Sequence, residues 1–257
     1  MKAVHRDTFR VRSYELDPFG RLQIPILCQL LQEVAVAHAS RLGVAVETLL
    51  DRGTAWVLSR LRLSLVRWPP NGAEIAIETW PEAMSRLVVE RRFALSTIGG
   101  EPIGEVSTLW VVLDLDRRRP IRLPSEAWDR FHEFEIGTRP ARPARLEVPD
   151  PVERDLAFSV RRSDVDLSGH ANNTSFVEWV IEAVPDKVWS RCDLCDLDLQ
   201  FLAECHQGQT VTSLSQLVEG ADATEVRHQL VRTEDGAEVA RARTMWRDRN
   251  PQPVEVR

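Results

Sequence analysis

Between Phe158 and Trp179 the chain reads FSVRRSDVDLSGHANNTSFVEW, and three kinds of reactive side chain crowd into eight of those positions. They are a carboxylate, Asp166, an imidazole, His170, and the amide pair Asn172-Asn173. Phe158 and Val160 alternate as in a strand, whereas Phe176, Val177, Trp179, Val180 and Ala183 recur as on the apolar face of a helix. The polar run is therefore expected at a strand-to-helix junction. A helix's first turn carries backbone N–H groups with no intrahelical partner, so such a junction can hold a carbonyl oxygen as it gains negative charge. An acid, an imidazole and a donor cluster are the parts that hydrolysis needs. Taken alone, Asp166 reads as a helix cap. Capping needs only one acceptor, however, and D-x-x-G-H-x-N-N concentrates five special residues, among them Gly169, which permits close backbone approach.

The elements that must position this run belong to a chain of 257 residues, 43% hydrophobic and 28% charged, enough to bury a sizeable core. No apolar run approaches a membrane span and MKAVHRDTFR lacks the hydrophobic segment of a secretory signal, so a cytoplasmic protein without membrane association is expected. Four cysteines, Cys28, Cys192, Cys195 and Cys205, are few for a disulfide scaffold and fit a reducing compartment. Cys192-x-x-Cys195 has no second pair, and a zinc site there would have to recruit His206 or a distant ligand; neither metal nor cofactor is expected. A net charge of −6 argues against nucleic-acid binding. Two basic runs, Arg117, Arg118, Arg119 and Arg122, and Arg86, Arg91 and Arg92, read either as solvated edges or as a docking patch for an acidic partner.

Residues 8–17 read as a strand entering a turn at Pro18-Phe19-Gly20, after which Ile26, Leu27, Leu30, Leu31, Val34 and Ala35 keep helical spacing towards Gly43. A strand from Ala55 to Arg67 ends at Trp68-Pro69-Pro70-Asn71-Gly72, and segments 73–80, 86–98 and 103–115 follow as strands, the last two joined at Gly99-Gly100. The pattern then repeats. Phe9, Val11, Arg12, Asp17, Gly20 and Glu33 match Phe158, Val160, Arg161, Asp166, Gly169 and Glu182 at a separation of 149. Leu63, Gly72, Arg91, Gly100, Thr108 and Trp110 match Leu199, Gly208, Arg227, Gly236, Thr244 and Trp246 at a separation of 136. This predicts a first unit over 1–138, a Pro-rich linker over 139–151 and a second unit over 152–257. A short helix is expected between Ser125 and Phe134, with Trp128 and Phe131 or His132 on one face. Where the second copy has His170, Asn172, Asn173 and Glu204, the first has Arg21, Gln23, Ile24 and Trp68. One of two equivalent places thus keeps the polar equipment.

A repeated strand, long helix and antiparallel sheet, with RRSDVDLSGHANN, VEWVIEAVP and FLAEC in the second copy and FRVRSYELDPFGR, RWPPNG and TLWVVLDLDRRRPIRLP in the first, resembles the acyl-acyl carrier protein (acyl-ACP) thioesterases. The resemblance implies an α+β double hot-dog fold, two tandem units each wrapping an antiparallel sheet around a long helix. It further implies hydrolysis of fatty acyl-ACP to free acid and carrier thiol. The family's D-x-N-x-H-V-N-N and Glu-Cys patterns fall on Asp166, His170, Asn172, Asn173, Glu204 and Cys205, with Ser168 in place of the middle Asn. A hydroxyl cannot reproduce an amide's paired donor and acceptor. By this resemblance Glu204 leads as the activator of water, Asp166 positions His170 or shares the base role, and Asn172 and Asn173 orient substrate and loop. Cys205 invites a Cys/His nucleophile reading, but it shares a phase with Cys195, Leu197, Leu199, Phe201 and Ala203 and so reads equally as a packed and as an exposed sulfur, which weighs against covalent catalysis. The first unit would line the acyl tunnel, and Arg117 to Arg122 would meet the acidic carrier, in a monomer or homodimer. An acyl-CoA thioesterase and a non-catalytic acyl-binding protein are the alternative readings.

Overall fold

The computed structural model describes residues 4–123, 128–129, 131, 135–220 and 223–249. Its elements are laid out twice. β1 (His5–Arg10), α1 (Ile24–Arg41), α2 (Val46–Leu50), β2 (Thr54–Leu65), β3 (Glu74–Met84), β4 (Val88–Thr97), β5 (Pro102–Asp114) and the short β6 (Arg119–Ile121) make the first set. β7 (Arg154–Ser159), α3 (Asn173–Glu182), α4 (Asp186–Trp189), β8 (Cys192–Phe201), β9 (Thr210–Val218), β10 (Thr224–Arg232) and β11 (Glu238–Asp248) make the second. β3, β4 and β5 begin 136 residues before β9, β10 and β11, and α1 begins 149 before α3, the separations read from the sequence.

All strands join one antiparallel sheet in the order β1-β3-β4-β5-β2-β8-β11-β10-β9-β7, with β6 on β5. The order is a palindrome of equivalents, and its centre is the β2–β8 seam, where Arg62 stands opposite its own counterpart Asp198. α1 packs against α3, and the sheet curls round both. The shared core draws Leu27, Leu31 and Val34 from α1, Phe176, Trp179 and Val180 from α3, and Leu61, Leu63, Leu197 and Leu199 from the seam strands. On the seam's other face Arg60 grips Asp198 through Nε–Oδ1 at 2.5 Å and Nη2–Oδ2 at 3.0 Å, both side chains being about 95% buried.

Two differences from the expected layout have local causes. The strand expected over 8–17 stops at Arg10, because the Glu15 carboxylate accepts the Arg12 N–H at 2.9 Å and folds Ser13–Glu15 into a 3-10 turn; Asp164 does the same to Arg161. Arg91 and Arg227 are not equivalents. Arg91 stands opposite Thr108, but opposite Thr244 stands Val226, because the hairpin joining Leu230 to Ala240 holds one residue more than that joining Leu95 to Gly104. A one-residue slip reverses the face, so Arg91 points into the first unit and Arg227 outward. The helix expected between Ser125 and Phe134 falls largely outside the described residues, of which Trp128, Asp129 and Phe131 are helical. Residues 138–153 carry neither strand nor helix and cross the sheet's outer face, tied by Ala141 N–H to Glu90 (2.7 Å), Leu146 O to Arg241 (2.9 Å) and Asp150 N–H to Gln216 (3.0 Å).

Candidate active site

After β7 the chain makes its 3-10 turn, then reverses through Asp166 to Gly169 before entering α3. Gly169 has φ +80°, as its counterpart Gly20 has +77°, a region in which a side chain would be strained. The buried Asp164 anchors this loop: its carbonyl accepts the Asn172 N–H at 2.7 Å while its carboxylate holds Arg161. Ala171 donates its N–H to Cys205 O at 2.8 Å. That single backbone bond sets the residues before each partner, His170 and Glu204, side by side. Arg232, itself held by Asp235, donates to Glu204 O at 2.7 Å and fixes the second segment.

His170 Nε2 lies 3.3 Å from Glu204 Oε2, each side chain about 30% exposed. At the other ring nitrogen, Ser168 Oγ is 3.2 Å from Nδ1 and donates to Asp166 Oδ1 at 2.5 Å. Asp166 also accepts from Ser168 N–H (2.8 Å) and Asn172 Nδ2 (3.2 Å). Each nitrogen of His170 therefore faces an oxygen, one belonging to a carboxylate and the other relaying a second carboxylate. Glu204 is shared more widely. Its Oε1 is ion-paired with Arg118, from the turn between β5 and β6, and lies 3.4 Å from His206 Nε2. Burial alone would raise the Glu204 carboxyl, but Arg118, His170 and His206 together hold it below the ordinary carboxylate range.

The expected site residues divide. Asp166, Ser168, His170 and Glu204 converge. Asp166 is not the helix cap: Asn172 takes that part, its Oδ1 accepting the Thr174 N–H at 2.9 Å, because Asp166 lies six residues upstream in the turn. Asn172's own N–H is spent on Asp164, so among the described residues Asn173 keeps the free N–H at the helix start. Cys205 is fully buried in the shared core, and burial raises its thiol to about 11; a neutral sulfur is not a nucleophile. It serves instead through its carbonyl. Cys192 Sγ donates to Asp248 and Cys195 Sγ to Met245 O, so the C-x-x-C pair packs apart. Among the described residues, His170, Glu204 and His206 are the group whose donor atoms lie close enough, within 4.8 Å, to share an ion. Sequence reading placed Arg118 in a basic run for carrier docking and His206 beside the C-x-x-C pair, and gave neither a part at this site, since only the sheet brings Arg118 across from the other unit.

The equivalent place in the first unit is filled. Arg21, standing where His170 stands in the second, pairs with Asp17 at 2.6 Å, donates to Cys192 O at 2.7 Å and lies 5.8 Å from the ring of Trp68, which occupies Glu204's place. Between α1 and the first unit's strands run two adjoining apolar cavities that share Gln32, Ala35 and Trp110. One reaches the second unit, where Asn173, Thr174 and Phe201 line it, three residues from His170 and from Glu204. The other is bounded by Val44, Trp56, Val89, Phe131 and the buried Arg91. Arg91 Nη1 is shared by His38 Nδ1 (2.9 Å) and Thr79 Oγ1 (3.2 Å); burial draws its guanidinium down to about 10 and, with the neighbouring cation, His38 down to about 3.

Comparison with known proteins bears on the family and the fold at three levels. Residues 2–131 match the family model described as acyl-ACP thioesterase N-terminal domain, and 149–248 that of the C-terminal domain. An oleoyl-acyl carrier protein thioesterase of Arabidopsis thaliana is 26% identical over 95% of this chain and 76% of its own length. A palmitoyl-acyl carrier protein thioesterase of Cuphea hookeriana is 26% identical over 96% of this chain, which spans 63% of that relative. Among solved structures, a 12:0-ACP thioesterase from Umbellularia californica superposes with a TM-score of 0.85 at 25% identity, covering 96% of this chain and 95% of that one. The double hot-dog architecture is thus the observed one.

Proposed function

Because the chain belongs to the acyl-ACP thioesterase family, we propose that it hydrolyses fatty acyl-ACP to free fatty acid and carrier thiol at the His170–Glu204 pair. The observation that supports this most is the joining of that pair to an apolar cavity through Asn173, on one short helix start.

The carboxylate of Glu204 takes a proton from water as the oxygen attacks the thioester carbonyl. Negative charge grows on the carbonyl oxygen, and the Asn173 N–H at the positive end of α3 receives it. As the C–S bond breaks, His170 donates its Nε2 proton to the departing sulfur. Glu204 then returns the proton it took across the 3.3 Å contact, and the pair is reset. Asp166, through Ser168, holds the ring so that Nε2 faces the reacting atoms. The acyl chain lies in the cavity between α1 and the first sheet, where each buried methylene contributes roughly 0.8 kcal/mol. Arg117, Arg119 and Arg122 are exposed beside the site and suit an acidic carrier protein.

The deciding experiment is thiol release from a series of acyl-ACP substrates and their acyl-CoA counterparts, with His170→Ala and Glu204→Ala as controls. Turnover on acyl-ACP that both variants abolish is the expected result. Ligand affinity without thiol release would replace catalysis by acyl binding. Equal turnover on CoA, with no rise in KM for acyl-ACP on charge reversal at Arg117 and Arg119, would remove the carrier.

A further inference from the structure

His206 has no part in the hydrolytic scheme, yet it stands against the other oxygen of the carboxylate that His170 meets. Its Nε2 is 3.4 Å from Glu204 Oε1, against 3.3 Å for His170 Nε2 and Oε2, and the two rings meet edge to face with centroids 4.9 Å apart. Zinc binds imidazole nitrogen and carboxylate oxygen at about 2.0–2.2 Å in a tetrahedron, which puts neighbouring donors roughly 3.3–3.4 Å apart. Each imidazole nitrogen already lies at that distance from one oxygen of Glu204, His170 from Oε2 and His206 from Oε1, and with one donor atom taken from each residue all three lie within 4.8 Å of one another.

The surroundings are those of a ligand set. All three side chains keep access to solvent, at 31%, 29% and 48% exposure. Ser168 and Asp166 hold Nδ1 of His170 and so leave its Nε2 for a metal, as outer-shell partners do. The Ala171–Cys205 backbone bond and the His206 N–H bond to Gln209 (2.7 Å) fix the two supporting segments. Two nitrogens and a carboxylate suit zinc rather than calcium or magnesium, which take oxygen ligands, and three protein ligands leave a fourth position open.

We infer that His170, Glu204 and His206 form a binding site for zinc, and that its occupation blocks the hydrolytic site by engaging Glu204 and His170. The blockade rests on the function proposed above; the binding does not. Arg118 opposes the ion, because its guanidinium already pairs with Glu204.

Calorimetric titration of the chelator-treated, full-length enzyme with zinc chloride, in a buffer that does not bind metal, tests the site directly. One equivalent is expected to bind. His206→Gln should weaken binding at least about tenfold, since outer-shell partners alone are worth about 10- to 100-fold. Arg118→Ala should tighten it, a change that unfolding or general loosening would not produce. Cys195→Ser, altering the one thiol not fully buried, should leave it unchanged. No binding, binding indifferent to His206→Gln, or binding lost with Cys195→Ser would overturn the site. In parallel, zinc should stop thiol release and a chelator should restore it. Binding at the site with full thiol release would overturn the blockade. If no acyl thioester is turned over at all, the function fails while the titration still decides the site.

Discussion

Ser168 stands where the family pattern has an asparagine, and among the described residues its hydroxyl is what links the Asp166 carboxylate to the His170 ring. Ser168→Ala removes a 2.5 Å bond to the carboxylate and a 3.2 Å contact to Nδ1 without touching the core, because Ser168 is exposed. A hydrogen bond to a charged group is worth about 1.5–3 kcal/mol, or roughly 10- to 150-fold in rate. Solvent reaches Asp166 and Ser168 alike, which screens the interaction and favours the lower end, so kcat should fall about tenfold. The melting temperature should move by no more than about 2 °C, as for an exposed substitution in a chain of this size. Ser168→Thr keeps a hydroxyl and should keep most of the activity. A double-mutant cycle sharpens the test: once Asp166→Ala is made, Ser168→Ala should cost little more, because the relay then leads nowhere. Single-turnover thiol release on acyl-ACP measures all four variants. Ser168→Ala activity within twofold of wild type, or effects of the two alanines that simply multiply, would refute the relay and leave Asp166 as a loop-forming residue only.

Glu204 must be ionised to accept a proton, and its carboxyl is held below the ordinary range, so the acidic limb of the kcat/KM profile should lie below that range as well. Arg118→Ala removes one of the lowering influences and should move that limb to higher pH; an unmoved limb would mean that Arg118 does not act on the titrating group. Cys205→Ala should retain kcat within about threefold, since a buried thiol raised to about 11 stays protonated, and near-total loss with a normal melting curve would restore the sulfur as nucleophile. At the seam between units, Asp198→Ala strands the buried Arg60 guanidinium and should lower stability by about 3–5 kcal/mol, read by urea denaturation; a loss under 1 kcal/mol, on the same rough scale, would show that water enters the seam.

The sequence by itself determined the layout and half of the site. Side-chain periodicity and two constant separations specify the duplicated helix-and-sheet unit, since strand and helix are set by neighbours a few residues away. Asp166, Ser168, His170 and Asn172 were legible for the same reason, as they sit on one loop whose contacts span two to six residues, although the capping part read at Asp166 falls to Asn172. The pairing with Glu204 rested on the contrast between the two copies and on resemblance, for no local spacing shows that the Ala171–Cys205 bond will lay the two segments together.

Tertiary structure decided what depends on register between distant strands. One extra residue in the second unit's hairpin puts Arg91 inside and Arg227 outside, although in sequence the two align. Alternation placed Cys205 in a phase with packed residues but could not say which face closes over it; the curled sheet and α3 did that, and its thiol became inert. Arg118 and His206 reach Glu204 from a turn in the other unit and from two residues downstream, contacts that no spacing in the sequence shows. Arg118's part follows from the seam where β2 meets β8, since it is this pairing that carries one unit's turn to the other unit's carboxylate.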